Sequence, residues 1–150
     1  MARRYSARGA DTNTHDTTII GINANGTTPN RGKIYDLIIG SRAAPADDAC
    51  TYLVQRITTT GTRTALVPPP LDPADIAASF VTGFAHSAEP TYTADTVMLE
   101  MSVNKRTTMR WVASPGGELW MPATANNGYG LRTVTPTTAY AVETTIHFEE

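Results

Sequence analysis

The sequence predicts an all-β chain: a two-sheet antiparallel β-sandwich, jelly-roll-like, with one short helix in a crossover and an extended N-terminal arm. Three observations lead there. Threonine supplies 25 of 150 residues while charged residues reach only 17%, and a β-branched residue with a hydroxyl suits a pleated surface whose outer face is wet. Apolar and polar residues alternate with a period of two in several runs, the mark of half-buried strands. Turn formers, among them Asn25-Gly26, Thr60-Gly61 and Pro115-Gly116-Gly117, punctuate the runs at short intervals. About eight or nine short strands are too many for one open sheet of this length and favour two packed sheets. No repeat period is visible, which disfavours solenoids and propellers. With 150 residues and 41% hydrophobic content, one domain with one core is expected.

Residues 1–16 are polar and aperiodic, so they are read as an arm outside the domain of residues 17–150. Residues 17–22 are a short strand. Residues 33–40 are the next, with Tyr35, Leu37 and Ile39 as its core face. Residues 50–59 alternate again, and Tyr52 and Val54 point inward. Residues 63–67 return as the hairpin partner of that strand, stopped by Pro68-Pro69-Pro70. Asp72 then reads as an N-cap with Pro73 in the first helical position. A helix over residues 74–80 would set Ile76 and Phe80 on one side, and residues 86–93 connect onward.

Residues 97–120, VMLEMSVNKRTTMRWVASPGGELW, carry the clearest alternation and predict a central meander. A three-residue loop pairs Val103 with Thr107, Met101 with Met109 and Leu99 with Trp111, and sets Glu100 opposite Arg110. Glu118 begins the strand after the Pro115-Gly116-Gly117 turn. Residues 128–134 form a strand broken by Pro136. The last strand, residues 138–148, places Tyr140, Val142, Thr144, Ile146 and Phe148 on one face.

Net charge is −2, so nothing draws the whole chain to nucleic acid or to anionic lipid. Arg3, Arg4 and Arg8 make the head locally basic; with Tyr5 they are the candidate partner-binding residues, gripping carboxylates on an acidic protein surface. Deleting residues 1–16 is then expected to leave a folded domain that no longer binds its partner. Cys50 is the single cysteine, which excludes an internal disulfide. No apolar run is long enough for a membrane helix, and the first residues read as no secretory signal. Synthesis in a reducing cytoplasm is expected.

No active site is legible, and no cofactor or metal is called for. His15, His86 and His147 lack ligand spacing with any cysteine or carboxylate. Asp47-Asp48 reads as a solvated loop. Ser114 lies in a turn rather than a nucleophile elbow. Glu89, Asp95, Glu100, Glu118 and Glu143 are the carboxylates a glycosidase would draw on, and nothing in the sequence places them together.

Four runs carry a resemblance: GSRAAPADDACTYLVQR (residues 40–56), LVPPPLDPAD (66–75), EPTYT (89–93) and RWVASPGGELWMPATANNGYGLR (110–132). Here the chain resembles small virion structural proteins of tailed bacteriophages. The resemblance implies a capsid decoration, or cement, protein on the outside of the head, made in the host cytoplasm. It implies the major capsid protein and copies of the chain itself as partners, in a homotrimer. Two rivals remain. One is a carbohydrate- or receptor-binding module using Trp111, Trp120, Tyr129 and Asn126-Asn127; the other is a head–tail connector or tail component.

Overall fold

The computed structural model describes residues 2–13, 16–135 and 138–150. Met1, His15 and Pro136, which carried parts of the reading above, lie outside the described residues. The described chain is all-β, with eleven strands: β1 (Arg4–Asn13), β2 (Thr18–Asn23), β3 (Gly32–Ser41), β4 (Ala49–Ile57), β5 (Thr62–Leu66), β6 (Val81–Ala88), β7 (Tyr92–Asn104), β8 (Met109–Val112), β9 (Leu119–Met121), β10 (Gly128–Thr135) and β11 (Tyr140–Glu149). They make two antiparallel sheets. Sheet A runs β1-β11-β3-β8, with β9 also on β3; sheet B runs β5-β6-β2-β10-β4-β7. The core lies between them, built from residues such as Tyr5, Ile20, Leu37, Val54, Leu131 and Phe148.

Strand β11 follows its alternation closely. Tyr140, Val142, Thr144, Ile146 and Phe148 are buried while their neighbours are less so. In β4, Tyr52 and Val54 join the core as the period requires. Strand β3 departs from its predicted face, because its register with β11 shifts between His147 and Phe148 and leaves Tyr35 unpaired. A bulge sends two successive side chains outward. Ile34 therefore joins Leu37 and Ile39 in the core, and Tyr35 does not.

The first correction concerns the arm. Residues 4–13 are strand β1, paired with β11 from Arg4 opposite Glu149 to Asn13 opposite Tyr140. Tyr5 and Ala7 are fully buried. The sequence hid this because the inward positions are Tyr5, Ala7 and Gly9, two of them small. Small residues are what the site requires: a Cβ on Gly9 would stand 2.9 Å from the Ile20 Cβ in the facing sheet.

The second concerns pairing. The segment 97–120 is not a meander. Strand β7 pairs with β4, Met101 opposite Tyr52 and Leu99 opposite Val54, while β8 pairs with β3, Trp111 opposite Leu37 and Met109 opposite Ile39. The turn between them crosses from one sheet to the other. Lys105 anchors it: its N–H bonds the Asp48 carbonyl at 3.0 Å, and its buried ammonium meets the Asp48 carboxylate at 2.7 Å. Likewise β5 pairs with β6 rather than with β4, and β6 and β7 take the two ends of the expected connector, residues 86–88 and 92–93.

The third concerns the helix. Residues 74–80 form a turn, bends and irregular chain, not a helix. Asp72 does cap, accepting the Ala74 N–H at 2.9 Å, but the next turns lose their partners to the termini. The Glu150 carboxylate takes the Ser79 N–H at 2.9 Å and the Phe80 N–H at 3.3 Å. The Ile76 carbonyl, which a helix would offer to Phe80, accepts the Tyr5 hydroxyl at 3.2 Å. Phe80 is buried against Phe148 while Ile76 is 62% exposed.

Candidate functional site

The residues read as a partner grip are put to other uses. Tyr5 is core, stacked on Phe148 at 5.3 Å between ring centroids. Arg3 pairs with Asp75 at 3.7 Å, and Arg4 with Glu149 at 3.3 Å. Arg8 is exposed at a shallow hollow shared with Thr108 and Glu143. The strand period separates Tyr5 from Arg4 and Arg8, and the acids of the chain itself occupy Arg3 and Arg4. They do not form one surface.

The candidate carboxylates are equally scattered. Glu89 accepts the Thr18 N–H at 3.0 Å and also its hydroxyl. Glu118 meets Lys33 at 3.6 Å, Glu143 lies at the Arg8 hollow, and Asp95 and Glu100 lie exposed on β7. The acid that sequence reasoning missed is Asp36, buried on the outer side of sheet A. It takes two bonds from Arg110, at 2.9 and 2.8 Å, and contacts His147 Nδ1 at 3.0 Å. The Arg110 hydrogen bonds, more than the His147 contact, hold its carboxyl below the usual carboxylate range against the opposing effect of burial. The geometry of this trio is that of a cross-strand clamp.

Sheet B has a polar cover of its own. Gly83, Gly21 and Gly130 are neighbours across three strands, and Arg63 lies over the first two, where a Cβ would come within 2.5–2.6 Å of its side chain. The Arg63 guanidinium donates to Asn23 Oδ1 at 2.8 Å. Burial lowers its pKa to about 10, and burial together with Arg63 lowers that of neighbouring His86. At the opposite end, Cys50 is buried beside the hydrogen-bonded hydroxyls of Tyr52 and Tyr140. Burial raises the pKa of both phenols. Among the described residues no three His, Cys, Asp or Glu side chains gather as metal ligands would.

Two features of the surface face outward. The first is the side of the sandwich formed by β7 and β8. Met98, Leu99, Met101, Val103, Met109 and Trp111 pack on the core but stay half-buried, and Val97 and Val112 are 40% and 57% exposed. Strand β7 has 13 residues and pairs on one side only. It contains neither lysine nor proline, two residues that blunt such an edge; its first half is bulged around Asp95, and residues 99–104 pair regularly. The other outer strands are better protected: β5, β8 and β9 are short. The start of β1 is covered by the loop after β5, where Ser6 donates to the Pro69 carbonyl and Leu71 to the Arg4 carbonyl.

The second is a cleft of ≈ 480 Å³ where β9 meets the ends of β4, β7 and β10. It brings together Trp120, Tyr129 and Asn127 from the sugar-site reading, while Trp111 lies elsewhere, on β8. Arg31 and Arg56 line it too, and sequence inspection missed both because each is an isolated cation far from the other in the chain. Tyr129 donates its hydroxyl to the Trp120 carbonyl at 3.2 Å, tying the two sheets together at the cleft floor.

No protein family, curated protein or solved structure matches this chain.

Proposed function

We propose that the protein is a virion structural protein: a decoration or cement protein that binds the outside of a tailed-phage head and bridges major capsid subunits. The observation that carries this reading is the β7–β8 side. A long edge strand, regularly paired from Leu99 to Asn104, beside half-buried methionines and the exposed Val97 and Val112 is a surface suited to strand addition and apolar packing against a partner. The partners are the major capsid protein and sister copies of this chain, and many weak contacts over a shell add up through multivalency.

Two further points support the reading. One is the sequence resemblance of the four runs described above. The other is the strand order, β1-β11-β3-β8 facing β2-β10-β4-β7, which we read as a jelly roll extended by the β5–β6 hairpin. Viral capsid and lectin domains use that architecture, an analogy of fold rather than of site.

Co-sedimentation with capsids stripped of this protein tests it. Saturable binding at a fixed ratio to the major capsid protein is expected, only weakly salt-dependent, and abolished by Val97→Lys with Val112→Lys in a folded protein. Absence of binding would overturn the decoration role, and closed rings in solution would favour a connector instead.

A further inference from the structure

We propose that the cleft beside Trp120 binds an acidic saccharide, a polyhydroxylated ring bearing a carboxylate. Its volume, ≈ 480 Å³, falls within the usual range for small-ligand sites. Its charge is one-sided. Arg31 and Arg56 line it, and no Asp or Glu does. Seven of the twelve Lys and Arg side chains of the chain are ion-paired among the described residues. These two are not, and neither makes a hydrogen bond with a described residue. Two unpaired guanidiniums facing one cavity are donors waiting for an anion.

Arg31 is also held in place. Its guanidinium lies 4.5 Å from the centroid of the Trp120 ring, and such stacking fixes the plane of the fork while leaving its N–H edge free for a carboxylate. Lys33 approaches the same ring at 5.4 Å but is neutralised by Glu118 and Glu149. The unpaired charge at the indole is therefore that of Arg31.

The rest of the lining suits sugar hydroxyls. The side chains of Thr58, Thr93 and Asn127 face the cleft without hydrogen-bond partners among the described residues. Trp120, Pro122 and Ala123, all exposed, supply apolar surface for ring C–H groups. The wall is pre-organised. Ala24 and Asn126 exchange backbone bonds with the facing segments, Ala24 N to the Asn127 carbonyl at 2.9 Å and Asn126 N to the Ala24 carbonyl at 3.1 Å. Asn23 Nδ2 adds a bond to the Asn126 carbonyl at 2.6 Å. A rigid wall lowers the ordering cost of binding. Single-stranded nucleic acid fits less well, since it needs a basic groove along its backbone and open aromatic faces for successive bases.

The test is titration of the full chain, followed by calorimetry, with four probes: trigalacturonate, a neutral galactose trimer, sodium acetate and a hexathymidylate. Trigalacturonate should saturate and weaken with salt, and the neutral trimer should bind at least about tenfold more weakly, as loss of a charge-assisted bond implies. Arg31→Ala and Arg56→Ala should each weaken binding about tenfold, whereas Arg8→Ala, outside the cleft, should leave it unchanged. Arg56 is exposed, so its variant reports on binding even if Arg31→Ala disturbs Trp120. Equal binding of the neutral trimer, or none by trigalacturonate, would overturn the proposal. So would acetate matching trigalacturonate, which would reduce the site to an anion spot, or a tighter hexathymidylate.

Discussion

Strands β1 and β7 are both outer strands, one in each sheet, and they are built in opposite ways. Strand β1 is largely polar, yet Tyr5, Ala7 and Gly9 are buried and its first residues are covered by the 69–71 segment. Strand β7 is rich in Val, Met and Leu, yet none of its 13 residues is fully buried. The difference lies in what stands opposite. Strand β1 faces β2 and β6 closely enough that only small inward residues fit around Tyr5. Strand β7 lies at the rim of the wider sheet, where the facing sheet ends in the four-residue β8. Burial follows coverage by the other sheet rather than the hydropathy of the strand itself.

Removing residues 2–13 should have the largest effect. It exposes the inner edge of β11 and the core beneath Tyr5, so the cooperative melting transition should be lost in calorimetry. A stably folded remnant would restore the reading of this segment as an arm. Within β1, Tyr5→Ala should cost about 3–5 kcal/mol by chemical denaturation, the usual price of truncating a buried aromatic. Tyr5→Phe, which loses the hydroxyl's bond to the Ile76 carbonyl and its contact with Glu150, should cost about 1 kcal/mol.

The Asp36 clamp gives a smaller effect with a defined pH dependence. Its folded pKa lies below the ordinary value of 3.8. The stabilisation is therefore fully present above the ordinary value and disappears as pH falls through the lower folded one. Asp36→Asn should destabilise by about 1–3 kcal/mol at neutral pH, and the gap to the unmodified protein should close in acid below the ordinary carboxylate range. A gap independent of pH would mean that Asp36 acts through packing alone. On β7 the effect on folding should be smallest. Val97→Lys should change stability by less than about 0.5 kcal/mol, as at an ordinary exposed site, while abolishing any self-association seen by analytical ultracentrifugation. A large loss of stability would place β7 in the core of the monomer.

The candidate site was legible only in part. Trp120, Tyr129 and Asn127 could be singled out as residues that sugar sites use, and they do converge. Arg31 and Arg56 could not, because a single cation between turn residues carries no pattern; their meaning comes from sharing one cavity free of acids. The reverse holds for Arg3, Arg4, Tyr5 and Arg8, whose cluster is visible in sequence and dispersed in space. Alternation along β1 and the nearby acids Asp75 and Glu149 account for that dispersal.

Local chemistry alone determined that this chain is all-β, that residues such as Tyr52, Val54, Tyr140, Ile146 and Phe148 face inward, and that Pro68-Pro69-Pro70 and Pro115-Gly116-Gly117 end strands. A period of two and turn-forming residues act within a few positions, so they can be read one segment at a time. Which strand pairs with which was decided only by the tertiary structure. The alternation of β7 is satisfied as well by β4 as by β8, and the helical spacing of Ile76 and Phe80 yields once Glu150 and Tyr5 take the backbone groups a helix would use. Partners distant in sequence compete for the same hydrogen bonds and the same core, and that competition is settled by the whole fold.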